Sequence, residues 1–135
     1  LIDFLPFLGI PWEQMSCWRL VAHVYDKQFG IILPTYDAAD PEDRALVAKL
    51  IENGRGDWID VSRDVPAFPD VLLFREDRVE PTHVGIVADD VWMLHVVKDG
   101  RSRMDLWDGS FRGRMWRPRL CGIWRHKDIA ANPTL

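Results

Sequence analysis

From Trp58 onward the chain changes its hydrophobic period, and that change limits the folds open to it. Six later segments read as strands: Trp58–Val61, Val71–Arg75, His83–Ala88, Val91–Val97, Arg103–Trp107 and Arg119–Trp124. Turn residues separate them, including Asp89-Asp90 and Asp99-Gly100. Before Trp58 the period is helical. Cys17, Leu20, Val21, Val24 and Tyr25 recur at helical spacing, with Ser16 placed to cap the start and Gly30 to stop the end. A second helix is predicted from Asp40 as cap, Pro41 at the first position, Glu42 and Asp43 on the dipole, and Leu46, Val47, Leu50 and Ile51 as its apolar face, with Gly54 ending it. Helices first and consecutive short strands afterwards predict an α+β domain with an antiparallel sheet, occupying residues 1–135 as one unit.

Composition narrows what such a domain does. Nearly half of the 135 residues are apolar and seven are Trp, enough for a packed core. The net charge of −4 argues against a general nucleic-acid binder. No run reaches the length of a membrane span, and Leu1 to Pro11 reads as an irregular packed arm. Two cysteines are too few for a disulfide framework. The segment after Gly100 interleaves Arg101, Arg103, Arg112, Arg114, Arg117, Arg119 and Arg125 with Trp107, Phe111, Trp116 and Trp124. It is either a strand region with buried aromatics and arginines outside, or a surface for an anionic partner.

The chemistry-bearing residues are Cys17, His83 and His95. A cysteine in the first turn of a helix meets N–H groups and a dipole that favour the thiolate. It needs a base, and the base needs an orienting partner. His83 heads one predicted strand and His95 lies inside the next. Because side chains alternate along strands, a two-residue turn at Asp89-Asp90 would send the two imidazoles to opposite faces. For both to face the helix, the loop around Ala88–Asp90 must hold an odd number of residues, or a bulge must intervene.

Four stretches then carry a resemblance: Met15-Ser16-Cys17-Trp18-Arg19-Leu20-Val21, Pro69-Asp70-Val71-Leu72-Leu73-Phe74, His83-Val84-Gly85-Ile86-Val87 and Met93-Leu94-His95. Their order and spacing resemble the NlpC/P60 cysteine peptidases over most of the chain. The closing Leu120-Cys121-Gly122-Ile123-Trp124-Arg125-His126 and the Trp after the cysteine look most like compact members from bacteriophage tails. The resemblance implies a papain-like fold, with Cys17 as nucleophile, His83 as base and His95 as the orienting residue. It implies acyl transfer to water through a thioester, with the Cys17 N–H as one oxyanion donor. The implied substrates are peptidoglycan stem peptides, without metal or cofactor, and the implied setting is a phage tail tip acting in the periplasm or cell wall. A second reading from the same resemblance is a structural tail-tip protein that binds neighbouring subunits through its aromatic and arginine-rich C-terminal region.

Two positions depart from the family pattern. Ser16 stands where an Asp that holds the substrate amino group is usual, and Arg19 stands where a small residue is common. Ser16, Trp18, Arg19 and Trp12 flank the nucleophile and are the candidate substrate contacts. Trp12 and Trp18 serve either as cleft walls or as core, and Arg19 either favours an anionic group or is solvated. Cys121 and His126 lack the short spacings of a zinc site, and His23 is read as surface or partial core.

Overall fold

The computed structural model of the chain describes residues 2–34, 56–75, 81–109 and 115–132. The predicted helix beginning at Asp40 lies outside these residues. A six-stranded antiparallel sheet runs in the order β1-β6-β2-β3-β4-β5. The strands are β1 (Trp58–Asp60), β2 (Val71–Arg75), β3 (Pro81–Val87), β4 (Trp92–His95), β5 (Arg103–Leu106) and β6 (Leu120–His126). Helix α1 (Cys17–Phe29) packs on β3 and β4, and a short helix, Lys127–Ala131, follows β6. The architecture is α+β.

Alternation along the strands divides the core into two layers. On one face Val71, Leu73, Val84, Ile86, Leu94 and Val96 meet Trp18, Leu20, Val21, Val24 and Tyr25 of α1. On the other, Leu72, Phe74, Val87, Met93 and Ile123 meet Trp107 and Trp116. β2 lies between β6 and β3, and Val71 to Phe74 are all buried. That explains why Val71-Leu72-Leu73-Phe74 is a continuous apolar run instead of an alternating one.

Local chemistry sets the ends. Gly30 adopts the left-handed conformation (φ 66°) and its N–H closes the last turn of α1 on Asp26 and Tyr25 carbonyls. Tyr25, fully buried, donates its hydroxyl to the Pro69 carbonyl at 2.6 Å and so ties α1 to the entry of β2. Between β4 and β5, Asp99 takes φ 64° and the Gly100 N–H donates to the Val97 carbonyl at 2.9 Å. Asp tolerates that region better than most residues.

Candidate active site

Cys17 is the first residue of α1, and Ser16 precedes it in extended backbone. The first bond of the helix runs from the Leu20 N–H to the Ser16 carbonyl at 2.9 Å. The N–H groups of the first turn therefore point out of the helix start, where the dipole also favours negative charge. Ser16 holds the cap position through its backbone alone. Its side chain makes no capping bond and is buried, which corrects the expectation of a hydroxyl cap. The Cys17 thiol is half-buried at the margin of the helix-side core.

The arm before α1 is stitched to the connection between β4 and β5. The Gly9 N–H donates to the Ser102 carbonyl (2.8 Å), the Ser102 N–H to the Ile10 carbonyl (2.9 Å), and the Trp12 N–H to the Gly100 carbonyl (3.0 Å). Buried Ser102 adds two side-chain bonds: its Oγ accepts from the Ile10 N–H (2.9 Å) and donates to the Phe7 carbonyl (2.6 Å). The segment leading into Cys17 is thus anchored to the residues that lie between His95 and Arg103.

The two histidines meet. His83 Nε2 and His95 Nδ1 are 2.8 Å apart, and both rings are buried. The loop between their strands is odd, as the pairing of the imidazoles requires. Val87 pairs with Met93, and the Ala88 N–H donates to the Trp92 carbonyl at 2.9 Å, leaving Asp89, Asp90 and Val91 as the turn. Asp89 Oδ1 accepts from the N–H groups of Val91 and Trp92, both at 2.9 Å, and fixes that turn. The register carries His95 opposite Gly85, where an added Cβ would lie 3.5 Å from the His95 Cβ and 2.9 Å from the Met93 sulfur.

The shared face differs from the expected one. His83 pairs with Phe74, whose side chain belongs to the layer away from α1. Trp116 stacks on His83 (5.0 Å, 25°) and meets His95 edge-on (4.8 Å). Both imidazoles therefore point away from the body of the helix, because Val84 and Ile86 take the helix-side positions of β3.

A third polar residue continues the row. His95 Nε2 lies 2.6 Å from Asp105 Oδ2, and Arg103 Nε donates to the same oxygen at 2.9 Å. Sequence reading did not single out Asp105. The signal was the β4–β5 hairpin: Met93 pairs with Asp105 and His95 with Arg103, so these four residues share a face and Asp105 lies diagonally from His95. Burial, together with the nearby His95 and Arg119, pushes the His83 pKa down to about 3 and keeps its imidazole neutral. Burial alone would raise the Asp105 pKa. The hydrogen bonds from His95 and Arg103 outweigh it and hold the carboxyl below its usual value.

The remaining candidates separate. Arg19 is exposed on the first turn of α1 and Trp12 is half-buried. Trp18 is core: it is 4 % exposed, and its indole N–H donates to the Pro34 carbonyl at 2.7 Å. Of the candidate substrate contacts, Ser16 and Trp18 are thus buried, and Arg19 is the exposed one. Trp107 and Trp116 are likewise core, with Arg117 and Arg119 lying over their respective rings at 5.7 and 5.8 Å. Trp107 and Trp116 thus follow the buried-aromatic reading, whereas Phe111, Arg112 and Arg114 lie outside the described residues. His126 is buried against Trp58 and Tyr25, and His23 meets Phe7. Cys121 is a free, exposed thiol on an open cleft of about 410 Å³ whose described lining includes Ser62, Asp64, Asp90 and Arg117. Among the described residues no group of three or more His, Cys, Asp or Glu side chains could hold a metal ion, and no helix is long and apolar enough to cross a membrane.

A half-buried thiol at a helix start and a buried row of imidazoles ending on a carboxylate suit nucleophilic acyl transfer. Comparison with known proteins points the same way: the model of the NlpC/P60 family matches residues 7–125. No curated protein matches the chain.

Proposed function

The chain belongs to the NlpC/P60 family, and from that premise we propose that it hydrolyses peptidoglycan stem peptides with Cys17 as nucleophile, His83 as base and His95 as the residue that orients the base. Members of this family are generally cysteine peptidases or amidases, and the domain has their papain-like α+β fold. The observation that carries the reading is the 2.8 Å contact between His83 and His95 on strands against which the Cys17 helix packs.

In this mechanism the thiol proton passes to neutral His83 and the sulfur attacks the scissile carbonyl. The tetrahedral oxyanion gathers at the start of α1, where the Cys17 N–H is one donor; such a donor contributes about 2.7–4 kcal/mol to the transition state. His83 returns the proton to the leaving amine, then takes one from the water that hydrolyses the thioester. Exposed Arg19, in the same turn, suits a carboxylate of the stem peptide. A phage tail tip is proposed as the setting, on the likeness of the closing Leu120–His126 stretch alone.

The test is incubation of the protein with purified peptidoglycan and mass spectrometry of the soluble fragments. Wild type should release peptides cut at one type of bond, and Cys17→Ala or prior alkylation should abolish release. Full activity in Cys17→Ala would overturn the mechanism.

A further inference from the structure

We propose that Asp105 is a positioning residue: through His95 it fixes the tautomer of His83, so that Nδ1 of His83 is the atom that takes the thiol proton. This rests on the reading of His83 as the base.

The argument is one of donor and acceptor accounting. Asp105 is held as a carboxylate by Arg103, which places its guanidinium on Oδ2 at 2.9 Å. A carboxylate only accepts, so the 2.6 Å contact requires the proton on His95 Nε2. A neutral imidazole has one N–H, so Nδ1 of His95 is an acceptor. The 2.8 Å contact between the rings then requires the proton on His83 Nε2. Nδ1 of His83 is thereby left with its lone pair. When Cys17 is deprotonated, the S–H bond breaks, its electron pair stays on sulfur, and the new N–H bond forms at that atom.

The opposite polarity needs His95 to carry both protons and to donate from Nδ1 to His83 Nε2. That would put a charge on a ring whose side chain is 0 % exposed. Among the described residues, the charged and titratable groups placed around the two rings are His83 and His95 themselves, Asp105 and Arg103 from β5, and Arg119 from the segment before β6, with the Cys17 thiol as the proton donor of the proposed reaction. Phe74 and Trp116, which complete the enclosure, carry no charge. Asp105 is the carboxylate of this group, and it touches His95.

The serine-protease arrangement shows the scale at stake: losing the carboxylate behind a histidine leaves the wrong tautomer and lowers kcat about 10⁴-fold. Here one more ring intervenes, so the expected loss in Asp105→Ala is at least about tenfold in kcat with KM within about twofold. The decisive readout is long-range ¹H–¹⁵N NMR of the histidine rings in the intact wild-type protein at pH 7, which needs neither substrate nor variant. Both His83 and His95 should appear as Nε2–H tautomers, and in Asp105→Ala the His95 signals should become a tautomer mixture. Asp105→Asn should also shift the acid limb of kcat/KM, where the base becomes protonated, to lower pH, because the imidazolium loses its stabilising anion. An Nδ1–H or doubly protonated His95 in wild type would overturn the proposal. So would a destabilised Asp105→Ala whose tautomers, pH limbs and kcat are unchanged in the folded fraction. Inactivity of wild type towards peptidoglycan would count against the catalytic reading and leave the tautomer measurement to decide on Asp105.

Discussion

Asp70 is 1 % exposed, and its carboxylate is held by Arg125 through Nε and Nη2, both at 2.9 Å, and by the Ala67 N–H at 2.9 Å. Arg125→Ala would strand that charge in the core. Because Arg125 is itself partly exposed, the cost should fall at the lower end of the range for broken buried pairs, about 3 kcal/mol, read as a lowered urea midpoint. At this scale legibility follows scarcity. Two cysteines and four histidines are few enough that period and strand parity single out Cys17, His83 and His95. Asp105 is one of 21 acidic residues, and nothing in its type distinguishes it until the β4–β5 register is known. Trp18 and Trp116 mislead in the opposite sense. A tryptophan beside a nucleophile or among arginines suits a binding surface equally well, and only packing shows that both are core.

Among the elements, strand positions were the most readable, because Gly and Asp turns bracket β-branched and aromatic runs. Val71–Arg75 is the same in sequence and structure, and the odd turn at Asp89–Val91 follows from requiring both histidines on one face. Which face could not be read. That depends on whether Val84 or His83 meets the helix, and α1 takes the apolar pair Val84 and Ile86. The arm also escaped notice as a positioning element, since its bonds to Gly100 and Ser102 are between residues about 90 apart in sequence. Ser102→Ala removes the partner of the Ile10 N–H and of the Phe7 carbonyl together. It should cost about 1–3 kcal/mol by chemical denaturation, and kcat/KM should fall, because the arm leads into Cys17. Unchanged stability would show that water replaces both bonds.

For the molecule as a whole, the buried histidines make stability depend on acid. His83 has a native pKa near 3 against an ordinary value of 6.5, and burial lowers that of His126 as well. Between these values the unfolded chain binds more protons than the native state, so stability rises with pH there and is lost progressively as pH falls from about 6.5 towards 3. Urea midpoints at pH 7, 5 and 4 should decrease in that order, with little change between pH 7 and 8. His83→Asn should flatten the slope, and a slope unchanged in that variant would assign it to other groups. The two-layer α+β architecture was legible from the switch in hydrophobic period at Trp58.

That Cys17 is an activated nucleophile whose proton His83 accepts is tested most directly by alkylation with iodoacetamide as a function of pH, read by peptide mass mapping. Exposed Cys121, whose thiol pKa is pushed up by burial of its neighbourhood, serves as an internal reference in the same molecule. Cys17 should react at pH 6 to 7, well below the ordinary thiol pKa of about 8.5, and His83→Ala should abolish that advantage. A Cys17 that titrates like an ordinary thiol, or that reacts equally fast in His83→Ala, would contradict it.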